Sequence, residues 1–353
     1  MAVKITGTGS FIPPRIIENT DFLNEEFLNE DGSKINSPNE VIIKKFQAIT
    51  GIAQRRYVAK NTTTSDIASI AAKKAIEDAE INPETLDYII VAHNFGDVKY
   101  RNTQSDAVPS LAARVKHQLQ IENPNCVAYD LIFGCPGWLQ GVIQAKAFID
   151  ANIAKRCLVI GAETLSRVVD KHDRDSMIFS DGAGATIIEK TTSEGDGIIF
   201  HKSATYAKNE SHYLTFEASY NQDLKRETRY IKMSGRKIYS FALTHVPQAM
   251  KECIDNSGYN ITDIKKIFIH QANEKMDFAI CERLYKLYQL EMPKNIMPMS
   301  IAELGNSSVA TLPTLIDLVK AKKIDNQEIH KGDVILFASV GAGMNINAMI
   351  YKI

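Results

Sequence analysis

The chain has 353 residues, 44% of them hydrophobic and 24% charged, with a formal net charge of -1. That balance suits a water-soluble folded protein and supplies no overall basic field to hold nucleic acid or an anionic membrane. The start carries a single Lys and no long apolar run, and no later segment reaches the roughly 20 apolar residues of a membrane span, so a cytoplasmic location is expected.

Taken in chain order, the pattern predicts a helix over 65–79, a strand at Tyr88–Ala92 and a helix over 107–119. A strand over 126–132 and a helix over 136–149 follow, then strands over 157–160 and 185–188. The last third has a helix over 238–254, a strand over 267–269, a helix over 308–321 and a strand over 334–338. Short apolar strands alternating with longer helices indicate an α/β fold with buried, largely parallel strands. The polar stretches 19–45 and 195–229 read as excursions from that core that cover a site.

The order of features repeats. Residues 81–94 and 259–273 each run from a turn through an apolar strand to a His beside Asn or Gln. Gly182-Ala183-Gly184 and Gly341-Ala342-Gly343 each open a strand, and residues 133–150 and 304–320 are both Gly-containing turns into apolar helices. Duplication of one α/β unit is implied, with an N-terminal half at 1–190 and a C-terminal half at 191–353.

Five cysteines, at 126, 135, 157, 253 and 281, include no CxxC pair, which fits free thiols in a reducing compartment and no metal site. Four lie in apolar runs and read as packing residues. Cys135 differs. It follows the apolar run ending at Gly134 and precedes Pro136, a residue suited to the first helical position. At such a strand-to-helix turn the helix dipole favours the thiolate, and the Cys135 N–H is free to bind an oxyanion.

His270 follows a short strand at the position that His93 occupies in the first half, where strand ends gather functional side chains. A neutral His there takes or gives protons near pH 7, or donates to an oxyanion. A lone His is more often structural, and His117, His172, His201, His212, His245 and His330 stay with that explanation. Asn306, in Leu304-Gly305-Asn306-Ser307-Ser308, is either a helix cap or an amide presented to the same pocket. The Gly341–Gly343 loop allows close backbone approach and a second oxyanion N–H. It lacks the third glycine of a dinucleotide fingerprint, and Phe133 stands where a serine-hydrolase elbow needs glycine.

Together with Ile5–Pro13, Thr50-Gly51-Ile52, Val159–Glu163 and Phe179–Ala185, these segments resemble the β-ketoacyl-ACP synthase III family of the thiolase superfamily. The resemblance implies a thiolase-like, duplicated five-layer α-β-α-β-α fold, a homodimer, and a catalytic trio of Cys135, His270 and Asn306. It implies that Cys135 takes an acyl group from acyl-CoA or an acyl carrier protein, with the carbonyl oxygen between the N–H groups of Cys135 and Gly343. Decarboxylation of malonyl-ACP then provides an enolate, held by His270 and Asn306, so no metal or redox cofactor is needed. Asn273 and Lys275 are implied in substrate or carrier binding, and Arg174 matches an arginine at the coenzyme A entrance.

Two departures bear on the substrate. Lys45 and Ile49 replace the Trp and Arg that clamp adenine in the best-known members, which favours delivery by a carrier protein. Val108 replaces a partner-subunit Phe across the acyl pocket, which favours a longer or branched chain. Competing expectations are a secondary-metabolite ketosynthase joining β-ketoacyl units into cyclohexanediones or dialkylresorcinols, an acyltransferase to oxygen or nitrogen, and a non-catalytic carrier partner.

Overall fold

A computed structural model describes residues 2–102, 104–192, 195–225 and 227–353, so position 226 of the second polar stretch lies outside the described residues. The first part of the chain forms β1 (Ala2–Phe11), β2 (Arg15–Glu18), α1 (Asn39–Thr50), β3 (Gln54–Tyr57), α2 (Thr64–Asp78), β4 (Tyr88–Ala92) and α3 (Leu111–Gln118). It continues through β5 (Val127–Leu131), α4 (Gly137–Asp150), β6 (Arg156–Thr164) and β7 (Asp181–Thr191). Then come β8 (Gly197–Thr205), β9 (Leu214–Ala218), β10 (Arg229–Met233), α5 (Gly235–Asp255), β11 (Ile264–Ile269) and α6 (Glu274–Leu287). The chain closes with α7 (Ile301–Leu304), α8 (Thr311–Lys320), β12 (Val334–Gly341) and β13 (Asn345–Lys352).

The main strands form two sheets, ordered β1-β7-β6-β4-β5 and β8-β13-β12-β11. In the first, β4 is parallel to β5 and β6, and β7 is antiparallel to β1 and β6. In the second, β11 is parallel to β12, and β13 is antiparallel to β12 and β8. Reading β1 onto β8, β7 onto β13, β6 onto β12 and β4 onto β11 makes the two orders coincide. Among the described residues, β5 has no counterpart.

Alternation along each strand builds the layers. Ile89 and Val91 of β4 pack outward against α2 and α3, while Ile90 packs inward with α4 and α8. In β11, Ile267 and Ile269 pack outward against α5 and α6, and Phe268 joins the central layer. Both faces of these strands are covered, which is why their sequences read as unbroken apolar runs. The result is the five-layer α-β-α-β-α arrangement, with α4 and α8 shared by both sheets. Trp138 anchors the middle layer: it is buried, lies 5.9 Å from the Phe337 ring, and its indole N–H donates to Thr186 Oγ1 at 3.2 Å. Truncating it to Ala costs about 3–5 kcal/mol.

Three elements differ from expectation. The helix expected from 107 begins at Leu111, because Pro109 has no N–H and the Ser110 hydroxyl caps the Ala113 N–H. The helix expected from 308 starts with a 3-10 turn at Ser308–Ala310 before α8. The polar stretch 195–229 contains β8, a strand of the second sheet whose half-exposed side chains dilute the apolar pattern. Later in that stretch, β9 pairs with β10 in a two-stranded ribbon.

Candidate active site

The turn that carries Cys135 is locked to the C-terminal glycine loop by close backbone approach. Gly134 has φ +66°, and a Cβ there would lie 2.6 Å from the Ala342 nitrogen. A Cβ on Gly341 would lie 2.3 Å from the Cys135 nitrogen. Glycine is required at both positions, and the two halves of the chain meet there. Pro136 precedes the helix, and α4 begins at Gly137.

Cys135 is a partly buried free thiol. Burial pushes it up to about 11; the Ser308 hydroxyl lowers it and the Glu163 carboxylate raises it. The net direction is opposite to the lowering expected of a helix start, because removal from water outweighs the hydrogen bonds of the Ser308 hydroxyl and the Cys135 N–H. At neutral pH the residue is a thiol. Ser308 Oγ donates to Cys135 Sγ at 3.3 Å.

His270 directly follows β11, with its N–H donating to Ala338 O at 2.9 Å. Its Nδ1 is buried without a hydrogen-bond partner. Burial pushes the imidazole down to about 4, so the ring is neutral at pH 7. Asn306 is held against the segment just before β7, in a bridge with Phe179: its N–H donates to Ile178 O and its O accepts from Ser180 N. Its Oδ1 accepts from Ser308 N at 2.8 Å, which leaves Nδ2 as the group it can offer a ligand.

Cys135, His270 and Asn306 all line one cavity of about 290 Å³, whose other walls are mainly apolar: Phe95, Ile132, Leu165, Leu214, Phe216 and Ile231 among them. The glycine loop contributes Gly341, Ala342 and Met344 to this wall, whereas Gly343 is not part of it. A second cavity of about 640 Å³ shares Met233, Ile238, Ala272, Met276 and Asn306 with the first, and forms a vestibule to it. Helix α1 supplies Lys45, Phe46 and Ile49 to the vestibule, so the polar stretch ending there does cover the site.

Of the expected binding residues, Arg174 and Asn273 line the vestibule. Asn273 also caps α6, its Oδ1 accepting from Met276 N at 3.1 Å. Lys275 is exposed on the first turn of α6 and lines neither cavity. Val108 is 86% exposed and lies outside both cavities of its own chain.

Three residues near the thiol escaped the sequence analysis. Ser308 touches the sulfur, Asn94 Nδ2 donates to Ser308 Oγ at 3.3 Å, and the Asn94 N–H donates to Glu163 Oε1. Burial raises the Glu163 carboxyl to about 7. An acid ending the otherwise apolar β6, and an Asn beside the His of the repeat, were the available signals. Cys126, Cys157, Cys253 and Cys281 are buried, as expected of packing residues. Among the described residues, no three His, Cys, Asp or Glu side chains are grouped to hold a metal ion, and no helix is long and apolar enough to cross a membrane.

Comparison with known proteins agrees with this geometry. The family description 3-oxoacyl-[acyl-carrier-protein (ACP)] synthase III matches residues 129–207, and its C-terminal counterpart matches 254–353. A β-ketoacyl-[acyl-carrier-protein] synthase III from Staphylococcus haemolyticus is 31% identical, over 100% of this chain and 99% of its own. One from Neisseria gonorrhoeae is also 31% identical, over 99% and 98%. The crystal structure of 3-oxoacyl-[acyl-carrier-protein] synthase III from Aquifex aeolicus VF5 superposes with a TM-score of 0.80 at 28% identity, covering both chains fully. The chain therefore belongs to the β-ketoacyl-[acyl-carrier-protein] synthase III family, acyltransferases that form carbon–carbon bonds by Claisen condensation.

Proposed function

We propose that Cys135 carries the acyl group in a fatty-acid-type condensation with a malonyl-ACP-type thioester. The observation behind this is the convergence of Cys135, His270 and Asn306, from both halves, on one apolar cavity reached through a vestibule. The Cys135 sulfur attacks an acyl thioester, and its proton leaves with the departing thiol. The oxyanion is held by the Cys135 N–H and an N–H of the Gly341–Gly343 loop; Ala342 suits this better than Gly343, because it is part of the cavity wall. Loss of CO₂ from the extender leaves an enolate, whose oxygen accepts hydrogen bonds from neutral His270 and from Asn306 Nδ2. The enolate carbon then attacks the acyl carbon, and the Cys135 thiolate departs. With one proton taken from solvent to restore the Cys135 thiol, the two thioesters supply every other atom, and the steps call on no metal or redox cofactor.

Delivery by an acyl carrier protein is favoured by Lys45 and Ile49 in the vestibule, with Arg174 at its wall and Lys275 exposed outside it. A homodimer is favoured by the outer edge of β5, which has no strand partner among the described residues and is flanked by Ile132, 70% exposed, and Val108. Ile132 also lines the inner cavity, so a second copy on this edge brings its Val108 toward the acyl chain. Five free thiols suit a reducing compartment, which favours the cytoplasm.

The test is intact-protein mass spectrometry after incubation with acetyl to octanoyl donors on coenzyme A and on carrier protein. One acyl adduct on the wild type and none on Cys135→Ala is the expected result. An adduct that persists on Cys135→Ala removes Cys135 as the acyl carrier.

A further inference from the structure

Ser308 is held in a conformation that few side chains adopt, with φ +54°. Its N–H is tied to Asn306 Oδ1 at 2.8 Å, so the strained backbone and the Asn306 side chain fix each other. The Ser308 hydroxyl has one proton and two lone pairs. Asn94 Nδ2 donates to that oxygen at 3.3 Å, and the proton points to Cys135 Sγ at 3.3 Å. A hydroxyl that accepts a hydrogen bond is polarised into a better donor.

Asn94 comes from the opposite half of the chain, just past β4. Its backbone is pinned by Glu163, whose carboxylate accepts the Asn94 N–H and is buried to 1%. The corresponding residue past β11, Gln271, uses its amide differently: Nε2 donates to Pro298 O and Oε1 accepts from Ser300 N, both at 2.9 Å. Gln271 is spent on backbone; Asn94 reaches across the site.

We infer that Asn94 is a positioning residue for the sulfur: its amide aims the Ser308 hydroxyl at Cys135, so that the thiolate exposed during acyl transfer meets an oriented donor. The inference rests on the assignment of Cys135 as acyl carrier. Asn94 touches neither the sulfur nor the acyl group. With its amide removed, the hydroxyl turns freely about its Cβ–Oγ bond, and the sulfur loses a fixed partner.

The test is the rate of Cys135 alkylation by iodoacetamide between pH 7 and 11, on the full chain, with Cys135→Ala as background. Throughout that range, below the midpoint of the thiol, Asn94→Ala is expected to slow alkylation roughly tenfold at each pH, the equivalent of about one pH unit. Ser308→Ala is expected to do the same, and the double variant no more than Ser308→Ala alone, because both act through one hydroxyl. Asn94→Asp, which keeps the shape and removes the donor, should match Asn94→Ala and stands in if the latter fails to fold. An unchanged profile in the Asn94 variants, or effects that add in the double variant, overturns the inference. Alkylation needs no acyl donor, so these outcomes are independent of the mass-spectrometric test of Cys135 as acyl carrier.

Discussion

The ends of β4 and β11 carry the same kind of dipeptide and use it in opposite ways. Past β4, His93 is locked: Nε2 bonds Asp130 Oδ2 at 3.0 Å and Nδ1 accepts from Gly96 N at 3.0 Å. Asn94 beside it faces the site. Past β11, Gln271 is locked and His270 lines the cavity with Nδ1 unpartnered. Duplication thus gives two equivalent places for a histidine, and the surroundings decide which one is available to a substrate. A carboxylate and a backbone N–H hold the first ring as scaffold. Burial without a charged partner keeps the second neutral and ready to donate to an enolate oxygen.

The sharpest way to break this contrast is to remove each imidazole. His270→Ala is expected to cut condensation by at least about a thousandfold while Cys135 still takes an acyl group; product analysis beside intact mass measures both. Equal loss of loading and condensation would place His270 in the first step instead. Gly341→Ala, which sets a methyl against the Cys135 nitrogen, should lower loading by roughly a hundredfold by displacing the turn, since a misplacement near 1 Å costs about that much.

Glu163→Gln probes the charge near the thiol. The folded carboxyl is raised to about 7 from an ordinary 4.5. The native state therefore holds a proton that the unfolded chain releases between those values, and wild-type stability falls as pH rises across that window. Gln removes this loss, so the variant should gain up to about 3 kcal/mol over wild type from pH 4.5 to 7. Denaturant melts across that range check it, and a constant difference refutes it. His93→Ala is expected to cost about 1–3 kcal/mol, through loss of its bonds to Asp130 and to the Gly96 N–H, and to leave the Cys135 alkylation profile in place. Val108→Phe is the mildest change. In a dimer it should reduce octanoyl loading a few-fold relative to acetyl, and an unaltered ratio would detach Val108 from the acyl pocket.

Much of the architecture was legible because both faces of its central strands are buried. Tyr88–Ala92 and the run up to Ile269 announce themselves as apolar, and the order of turns and helices carries the duplication. Edge strands were less legible: β8 mixes half-buried Lys202 and exposed Ser203 with buried Ile198. At the site, Cys135, His270 and Asn306 were readable from turns and strand ends. The ionisation of Cys135 was not, because a helix start is local in sequence whereas the walls that desolvate the thiol come from distant elements. Asn94, Glu163 and Ser308 stayed hidden for the same reason. Their roles lie in contacts as far apart as 214 positions between Asn94 and Ser308, which no local pattern encodes.

The interlocked glycines at 134 and 341 also govern timing. During synthesis the N-terminal sheet can form while Cys135 still lacks the wall it packs against, because the Gly341 loop is translated about 200 residues later. A nascent chain therefore carries an incomplete site until the Gly341 loop has emerged and packed against the Cys135 turn.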